Sequence, residues 1–285
     1  MTVEQEVTAH YRHGGLEAAL LQGLAAAGKD PDKITADDLA PADEFHIGGR
    51  QATIDFAAEF GASPGMHLLD IGSGLGGPSR YFAHHCGCKV TGVDLSEEYV
   101  AVATALSRRV GLSDRVDYRQ ASALELPFPD ASFDGAYVQH VGMNIADKAR
   151  LFYEVHRVLK LGGLFGVYDV MLTSDDVFSY PVPWASSEDT NFIATPSMYR
   201  GLLTAEGFEV VKERNRRQFA IDFFRDLQAK LARSGGPPAF GLQIVMGPTA
   251  PQKIGNMISL LERGVIAPVE MICRAVTPNP RAGNV

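Results

Sequence analysis

The sequence has few cysteines and no long apolar run. Cys86, Cys88 and Cys273 are its only cysteines, too few for a disulfide framework, and no second pair completes a metal site with the first two. No apolar run approaches the roughly 20 residues that a membrane-spanning helix needs. The first ten residues contain Glu4 and Glu6 and lack the apolar centre of a signal peptide. These absences predict a cytoplasmic protein that is not inserted in a membrane.

Positive charge is also scarce. Lys and Arg together number 26 against 34 Asp and Glu, which gives a formal net charge of −8. A nucleic-acid partner is therefore not expected, because phosphate binding needs clustered Lys and Arg. The 285 residues, 46% of them hydrophobic, suffice for one enlarged globular domain or for a core domain with a cap.

Apolar runs and helical segments alternate regularly between residues 67 and 170. The predicted strands are residues 67–71, 89–93, 115–119, 134–139 and 163–170. The predicted helices between them are residues 77–85, 96–110 and 147–160. This alternation predicts a doubly wound parallel sheet that binds its ligands at the carboxyl ends of the strands.

The pattern changes on both sides of this alternation. Residues 1–60 are predicted to form an N-terminal helical lid, with an acidic linker at residues 31–41, and residues 61–172 form the ligand-binding core. Residues 173–285 supply a lid loop, cap helices and the closing strands of the sheet. The predicted fold class is α/β: a Rossmann-like doubly wound sheet, mostly parallel with an antiparallel C-terminal end, plus N-terminal helices and a C-terminal cap insertion.

A glycine-rich turn follows the first predicted strand. Gly72, Gly74 and Gly77 fit the G-x-G-x-x-G of a dinucleotide fold, and Gly72, Gly74 and Gly76 fit a tighter G-x-G-x-G. Asp70 distinguishes these interpretations, since its carboxylate repels a pyrophosphate bound at the helix N-terminus. S-adenosylmethionine instead carries an ammonium and a sulfonium, which a nearby anion favours. The turn therefore predicts S-adenosylmethionine as the cofactor.

A second carboxylate ends the next strand. Asp94 lies 22 residues after Gly72, an offset at which a carboxylate accepts hydrogen bonds from both ribose hydroxyls of an adenosine. An aspartate at a strand end is often only a turn residue, but its combination with the glycine turn favours ribose binding. Leu95 is expected to lie against the adenine.

Together these motifs resemble those of class I S-adenosylmethionine-dependent methyltransferases. The resemblance covers residues 60–170 and rests on residues 68–77, 92–96, 126–134 and 157–163. It implies transfer of a methyl group to a small-molecule acceptor.

Many methyltransferases have Gly-Asp-Ala after the third strand, where the Asp accepts from the adenine amino group. This chain has Ser122 there, whose uncharged hydroxyl predicts a weaker contact. The predicted cofactor-binding residues are Asp70, Gly72, Ser73, Gly74, Gly76, Asp94, Leu95, Ala121, Ser122 and Gln139.

Polar side chains follow the fourth predicted strand, where the acceptor is expected. His140 is predicted to take a proton or to hydrogen-bond an acceptor oxygen, and the alternative is that His140 and Asn144 satisfy loop backbone. An aromatic face on Trp184, Tyr11 or Tyr180 would stabilise a methylated amine; alternatively, Trp184 anchors the lid. The predicted catalytic residues are His140, Asn144, Trp184, Tyr11 and His46. No metal is predicted, because no His, Cys and Asp cluster has ligand spacing.

A narrower resemblance concerns the acceptor. Residues 43–53, 139–148 and 180–185 are similar to sarcosine/dimethylglycine N-methyltransferase-like proteins. This implies N-methylation of such an amino acid, and the broader group implies an alternative, C- or O-methylation of a quinone-, tocopherol- or natural-product-like acceptor. An amino acid acceptor needs a cation for its carboxylate. The candidate cations are His46, Arg50, His140 and Lys148.

Two hypotheses from other classes remain. A nicotinamide-dependent oxidoreductase would keep the fold and bind NADH, and a non-catalytic module would hold S-adenosylmethionine without transferring its methyl group. The methyltransferase hypothesis predicts saturable cofactor binding that is lost in Asp70→Ala or Asp94→Ala. A homodimer is expected only because dimers are the commonest oligomers.

Overall fold

A seven-stranded mixed sheet organises the part of the chain that the structure, a computed structural model, describes: residues 2–11, 14–236 and 238–277. Its strands are β1 His67–Ile71, β2 Lys89–Asp94, β3 Val116–Gln120, β4 Phe133–Gln139, β5 Leu159–Leu172, β6 Phe208–Asn215 and β7 Ile266–Ala275. The order is β3-β2-β1-β4-β5-β7-β6; the first five strands pair in parallel, and β7 runs antiparallel to β5 and β6. The predicted fold class, mostly parallel with an antiparallel C-terminal end, is confirmed.

Helices cover both faces of this sheet and its carboxyl end. They are α1 Val3–His10, α2 Leu16–Ala26, α3 Ala36–Asp43, α4 Gly49–Phe60, α5 Gly77–His85, α6 Glu97–Arg109, α7 Lys148–Val158, α8 Pro196–Ala205, α9 Arg217–Ser234, α10 Gln243–Met246 and α11 Ala250–Arg263. Within the described ranges, no helix combines the length and hydropathy that crossing a membrane requires.

The strand order reverses beside β1, which lies between β2 and β4. In a doubly wound sheet such a switch point opens a crevice at the carboxyl ends of the strands. On one face of the sheet, Phe82 of α5 stacks on Tyr137 of β4 with ring centroids 4.6 Å apart. Both side chains are fully buried, so this packing fixes α5 and the turn before it against the sheet.

Two groups of helices close over the crevice. The first contains α1 and α2, and α2 packs through Leu20 and Leu24 into a cluster shared with Leu106 of α6. The second contains α9 and α11, whose Phe224 and Met257 join a separate apolar cluster. The crevice is therefore roofed by segments from both ends of the chain.

One local prediction was wrong. The proposed acidic linker at residues 31–41 contains the start of α3, which runs Ala36–Asp43. The Thr35 hydroxyl accepts from the Asp38 amide, and the Asp38 carboxylate accepts from the Thr35 amide, so the two residues form a capping box. Such a box stabilises a helix start, even where the composition is acidic and contains Pro41.

Candidate active site

The glycine turn after β1 adopts backbone conformations that need glycine. Gly72, Gly74 and Gly76 have φ values of 71°, 52° and 81°, in the left-handed region. A Cβ at Gly72 would clash with the Val141 side chain, and one at Gly76 with the Tyr118 hydroxyl, whereas a Cβ at Gly74 would meet nothing within 4 Å. The turn is thus packed on two sides and open at Gly74, where a ligand can approach its backbone.

Asp94 ties the end of β2 to this turn. Its Oδ2 accepts from the Gly74 amide at 2.9 Å, and its Oδ1 accepts from the Ser96 amide at 2.9 Å. Burial raises the pKa of this carboxyl. A carboxylate has about four acceptor positions, so Asp94 can accept further hydrogen bonds from a diol, as ribose binding requires.

Asp70 lies beneath the turn and is almost fully buried. Its Oδ2 accepts from the Ser79 hydroxyl at 2.5 Å, and burial raises its pKa to about 7. A nearby cation would favour the ionised form and lower this pKa. The position therefore suits a positively charged ligand and disfavours a phosphate.

A cavity of about 1440 Å³ opens over this turn. Ligand pockets commonly measure about 300–1,000 Å³, so this one has room for a cofactor and a second molecule. Thirteen of the predicted site residues line it: Tyr11, His46, Asp70, Gly72, Ser73, Gly74, Asp94, Leu95, Ala121, Gln139, His140, Asn144 and Trp184. The chain thus brings together residues that are up to 173 positions apart.

Gly76 and Ser122 are not among the residues that line the cavity. Gly76 packs against Tyr118 and Arg80, so its role is to allow the turn. Ser122 donates its hydroxyl proton to Glu4 Oε1 and accepts from the Leu124 amide at 3.0 Å. Direct cofactor contacts predicted for these two residues have no support in the structure.

Several polar groups of residues at the cavity lack hydrogen-bond partners within the described protein, and two of them lie close to the glycine turn and the end of β4. The Ser73 hydroxyl and Gln139 Nε2 are buried without a hydrogen bond, and both residues line the cavity. Such groups are costly unless a ligand or water completes them. The open turn, the Asp94 carboxylate for a ribose, the Asp70 carboxylate for a cation and these free groups fit S-adenosylmethionine.

Residues 69–167 match the family model described as a methyltransferase domain. Sterol 24-C-methyltransferase ERG6B of Gibberella zeae is 38% identical over 117 residues, which cover 41% of this chain and 31% of that relative. The chain contains a class I S-adenosylmethionine-dependent methyltransferase domain. The residues at the glycine turn fit S-adenosylmethionine, the cofactor that the sequence predicts. The matches to curated relatives span about a third to a half of the relatives' own length.

Solved structures share the fold of the methyltransferase domain. A protein of Galdieria sulphuraria described as a sarcosine dimethylglycine methyltransferase has a TM-score of 0.63 and 20% identity, over 79% of this chain and 84% of that chain. The cyclase SpnF has a TM-score of 0.67 and 24% identity, over 97% of this chain and 98% of its own. Because these identities are low, the likeness concerns the fold, and the acceptor must be inferred from the site.

His140 stands at the end of β4 in a strained conformation, with φ 59°. Its Nδ1 lies 3.0 Å from the Tyr168 carbonyl, and its Nε2 accepts from the Ile47 amide at 3.2 Å. These partners fix a neutral ring with its proton on Nδ1, and burial lowers its pKa to about 4. His140 therefore satisfies loop backbone, which was the alternative interpretation, and it holds no free lone pair for a proton.

Glu44, another acidic residue at the cavity, is not among the residues that the sequence analysis predicted for the site. It lies in a polar, glycine-bearing segment between α3 and α4, lines the cavity and is 1% exposed. Its Oε2 accepts from the Thr53 hydroxyl at 2.7 Å, and its Oε1 lies 2.7 Å from Arg50 Nε. Burial and the neighbouring Asp43 raise its pKa to about 8. The signals in the sequence were the polarity of this segment and its place within residues 43–53, one of the three segments of the narrower resemblance.

The other predicted catalytic residues are anchored by the protein. His46 Nε2 lies 3.1 Å from the Gly49 carbonyl, and burial lowers its pKa to about 3. Tyr11 donates to Asn144 Oδ1 at 3.4 Å, and Trp184 Nε1 donates to Asn191 Oδ1 at 2.8 Å. Both aromatic residues line the cavity, whereas Tyr180 does not. Trp184 thus anchors the lid and also contributes to the wall.

Proposed function

We propose that this protein transfers the methyl group of S-adenosylmethionine to a carbon of a large, uncharged, apolar acceptor, of sterol or terpenoid size. The observation that carries this proposal is the apolar cap over the glycine turn. Beyond the cofactor residues, the cavity is walled by apolar side chains of the turn after β4, the lid and the C-terminal cap: Met143, Trp184, Phe223, Phe224, Leu227, Leu231, Phe240, Val245, Met246, Ile254, Met257 and Ile258. Such a wall stabilises a bulky apolar molecule by removing it from water.

The same wall offers little to an acceptor with a carboxylate. Among the described lining residues, Arg50 is the only Lys or Arg. Its guanidinium is already paired with Glu44 at 2.7 Å and with Asp37 at 3.4 Å. Lys148 does not line the cavity and donates to the Ile145 and Phe192 carbonyls.

The two histidines do not supply the missing cation either. The lowered pKa values of His46 and His140, about 3 and about 4, make both rings neutral at pH 7. A buried carboxylate without a partner is strongly disfavoured. N-methylation of sarcosine or dimethylglycine is therefore less well supported than the alternative of C-methylation. The sterol 24-C-methyltransferase relative, which by its name acts on a carbon, supports the same choice.

The bound cofactor supplies an electrophilic methyl group and leaves as a neutral thioether. When an alkene carbon of the acceptor takes this group, a C–C bond forms and the neighbouring carbon becomes cationic. Loss of a proton from an adjacent carbon restores a neutral alkene. We assign the acceptance of this proton to Glu44, whose side chain borders the cavity and whose raised pKa makes its ionised form a stronger base than an ordinary carboxylate.

Three further features of the protein assist this chemistry. The faces of Trp184 and Phe224, both on the cavity wall, stabilise a transient cation. The apolar cap keeps water away from that cation, because water would add to the cation and give an alcohol. Thr53 donates to Glu44 and so positions the carboxylate.

The proposal is tested by measuring S-adenosylhomocysteine release with two panels of acceptors. One contains uncharged alkenes of sterol and terpenoid size, and the other contains sarcosine, dimethylglycine, phenols and quinones. We expect turnover with members of the first panel. Turnover confined to the second would overturn the choice of acceptor. Cofactor binding without turnover in either would indicate a non-catalytic module, and NADH binding in place of S-adenosylmethionine would indicate an oxidoreductase.

The role of Glu44 has its own test, the variant Glu44→Gln. General-base catalysis typically contributes 10²–10⁴-fold, so we expect kcat to fall at least 100-fold while S-adenosylhomocysteine affinity stays within about twofold. Asp37→Asn is the matched control, because Asp37 pairs with the same Arg50 but is exposed. Equal kcat values for the two variants would remove Glu44 from the mechanism.

A further inference from the structure

We propose that Glu4, on helix α1, accepts a hydrogen bond from the exocyclic amino group of the cofactor's adenine. The core itself lacks an acid at the position after β3 where many methyltransferases have Asp, since Ser122 occupies it. A carboxylate from the N-terminal helix takes over that contact. The proposal rests on the cofactor site described above and adds a residue to it.

The loop after β3 borders the part of the cavity in which we place the adenine. The Ala121 amide donates to the Asp94 carbonyl at 3.0 Å, so this loop is fixed beside the ribose carboxylate. Ala121, Ala123 and Leu124 line the cavity together with Leu95. These short and apolar side chains can flank a base, but none of them can accept a hydrogen bond from its amino group.

Ser122 is turned away from this role by its own hydrogen bonds. Its hydroxyl donates a hydrogen bond to Glu4 Oε1 and accepts one from the Leu124 amide. Unlike Ser122, Glu4 lines the cavity. A carboxylate accepts about four hydrogen bonds, so the one from Ser122 orients Glu4 and leaves acceptor capacity for a ligand. A charged acceptor also makes a stronger bond than a hydroxyl does.

Helix α1 is held at its other end as well. Tyr11, directly after α1, donates to Asn144, and His10 Nε2 lies 3.1 Å from the Pro183 carbonyl. The helix therefore lies across the cavity from the loop after β3 to the acceptor lid. With both ends fixed, Glu4 stays beside the adenine end.

The test compares two ligands by titration calorimetry: S-adenosylhomocysteine, and its analogue with purine in place of adenine, which lacks the 6-amino group. A hydrogen bond to a charged group changes affinity by roughly tenfold or more. For the wild-type protein we expect the analogue to bind at least about tenfold more weakly. For Glu4→Ala we expect S-adenosylhomocysteine to lose a similar factor and the two ligands to bind alike. Glu4→Gln, which keeps an acceptor without the charge, should lie between.

Glu6→Ala is the matched control, because Glu6 is also an acid in the first turn of α1 but does not line the cavity. It should keep wild-type affinity and wild-type discrimination between the ligands. Thermal unfolding of each variant shows whether the fold is retained. Unchanged discrimination in Glu4→Ala would overturn the role of Glu4 while leaving the cofactor site intact. Failure of the wild-type protein to bind S-adenosylhomocysteine would overturn the proposed function as well.

Discussion

Arg80 and Asp43 form an ion pair that lies entirely inside the protein. Arg80 Nη2 donates to Asp43 Oδ2 at 2.6 Å, and the two side chains are 0% and 1% exposed. The guanidinium also donates to the Leu75 carbonyl at 2.6 Å and to the Ser107 hydroxyl at 3.0 Å. This pair joins the end of α3 to α5, and so holds the segment with Glu44 beside the glycine turn.

Arg80→Met should lower the free energy of unfolding by about 3–5 kcal/mol, because it leaves the Asp43 carboxylate buried without its partner. Urea denaturation measures this change. Arg225→Met is the matched control, since Arg225 pairs with Asp222 at 2.9 Å on the surface and should cost under about 1 kcal/mol. Equal losses in the two variants would show that the buried pair is not a structural link.

The cofactor half of the site could be predicted because its motif is nearly contiguous. Residues 70–77 show the turn directly, and Asp94 follows at the end of the next strand. The strand–helix alternation also fixes which strand ends meet, so the sheet and its binding edge follow from hydrophobic patterning. Gly74 and Asp94 accordingly lie within a hydrogen bond of each other.

The acceptor half could not be predicted in the same way. Its wall combines residues of the lid, α9 and α11 that lie far apart in the sequence, such as Trp184, Phe224 and Met257. Helical spacing predicts an apolar face on α9 and on α11, but not which part of the molecule each face covers. The chemical state of His140 depends on carbonyl and amide groups of Tyr168 and Ile47, which are not visible in a sequence. The protonation state of His140 is therefore set by backbone groups that are distant in the sequence, and the sequence alone does not predict it.

His140 should contribute to the pH dependence of stability. Its pKa falls from 6.5 in the unfolded chain to about 4 in the folded protein, so between these values only the unfolded state is protonated. The stabilisation is complete above about pH 6.5 and is lost as the pH falls towards 4, with a slope of up to about 1.4 kcal/mol per pH unit.

The variant His140→Asn isolates this contribution, and Asn tolerates the positive φ of this position. The difference in unfolding free energy between wild type and variant should shrink as the pH falls from 7 to 4.5. Asp70 and Glu44 have raised pKa values and give slopes of the opposite sign, but they are present in both proteins and cancel. A difference that stays constant over this range would contradict a neutral, buried His140.

Gly255 on α11 offers a test of the acceptor cavity. It lines the cavity, and an added Cβ would meet nothing within 4 Å. Gly255→Leu should therefore fold normally, since Leu favours a helix over Gly by somewhat under 1 kcal/mol, and should raise KM for sterol-sized acceptors about tenfold or more. Gly201→Leu on α8 is the control, because it too meets nothing within 4 Å but lies outside the cavity. Equal KM values in the two variants would place the acceptor elsewhere.

Methyl transfer to carbon is the central claim, and the position of the transferred group tests it most directly. The protein is incubated with S-adenosylmethionine carrying a ¹³C-labelled methyl group and with both acceptor panels, and the products are examined by NMR. We predict a labelled methyl or methylene carbon bonded to carbon in an uncharged alkene acceptor, lost in Glu44→Gln. A labelled methyl bonded to the nitrogen of sarcosine or dimethylglycine, with none bonded to carbon, would contradict the account.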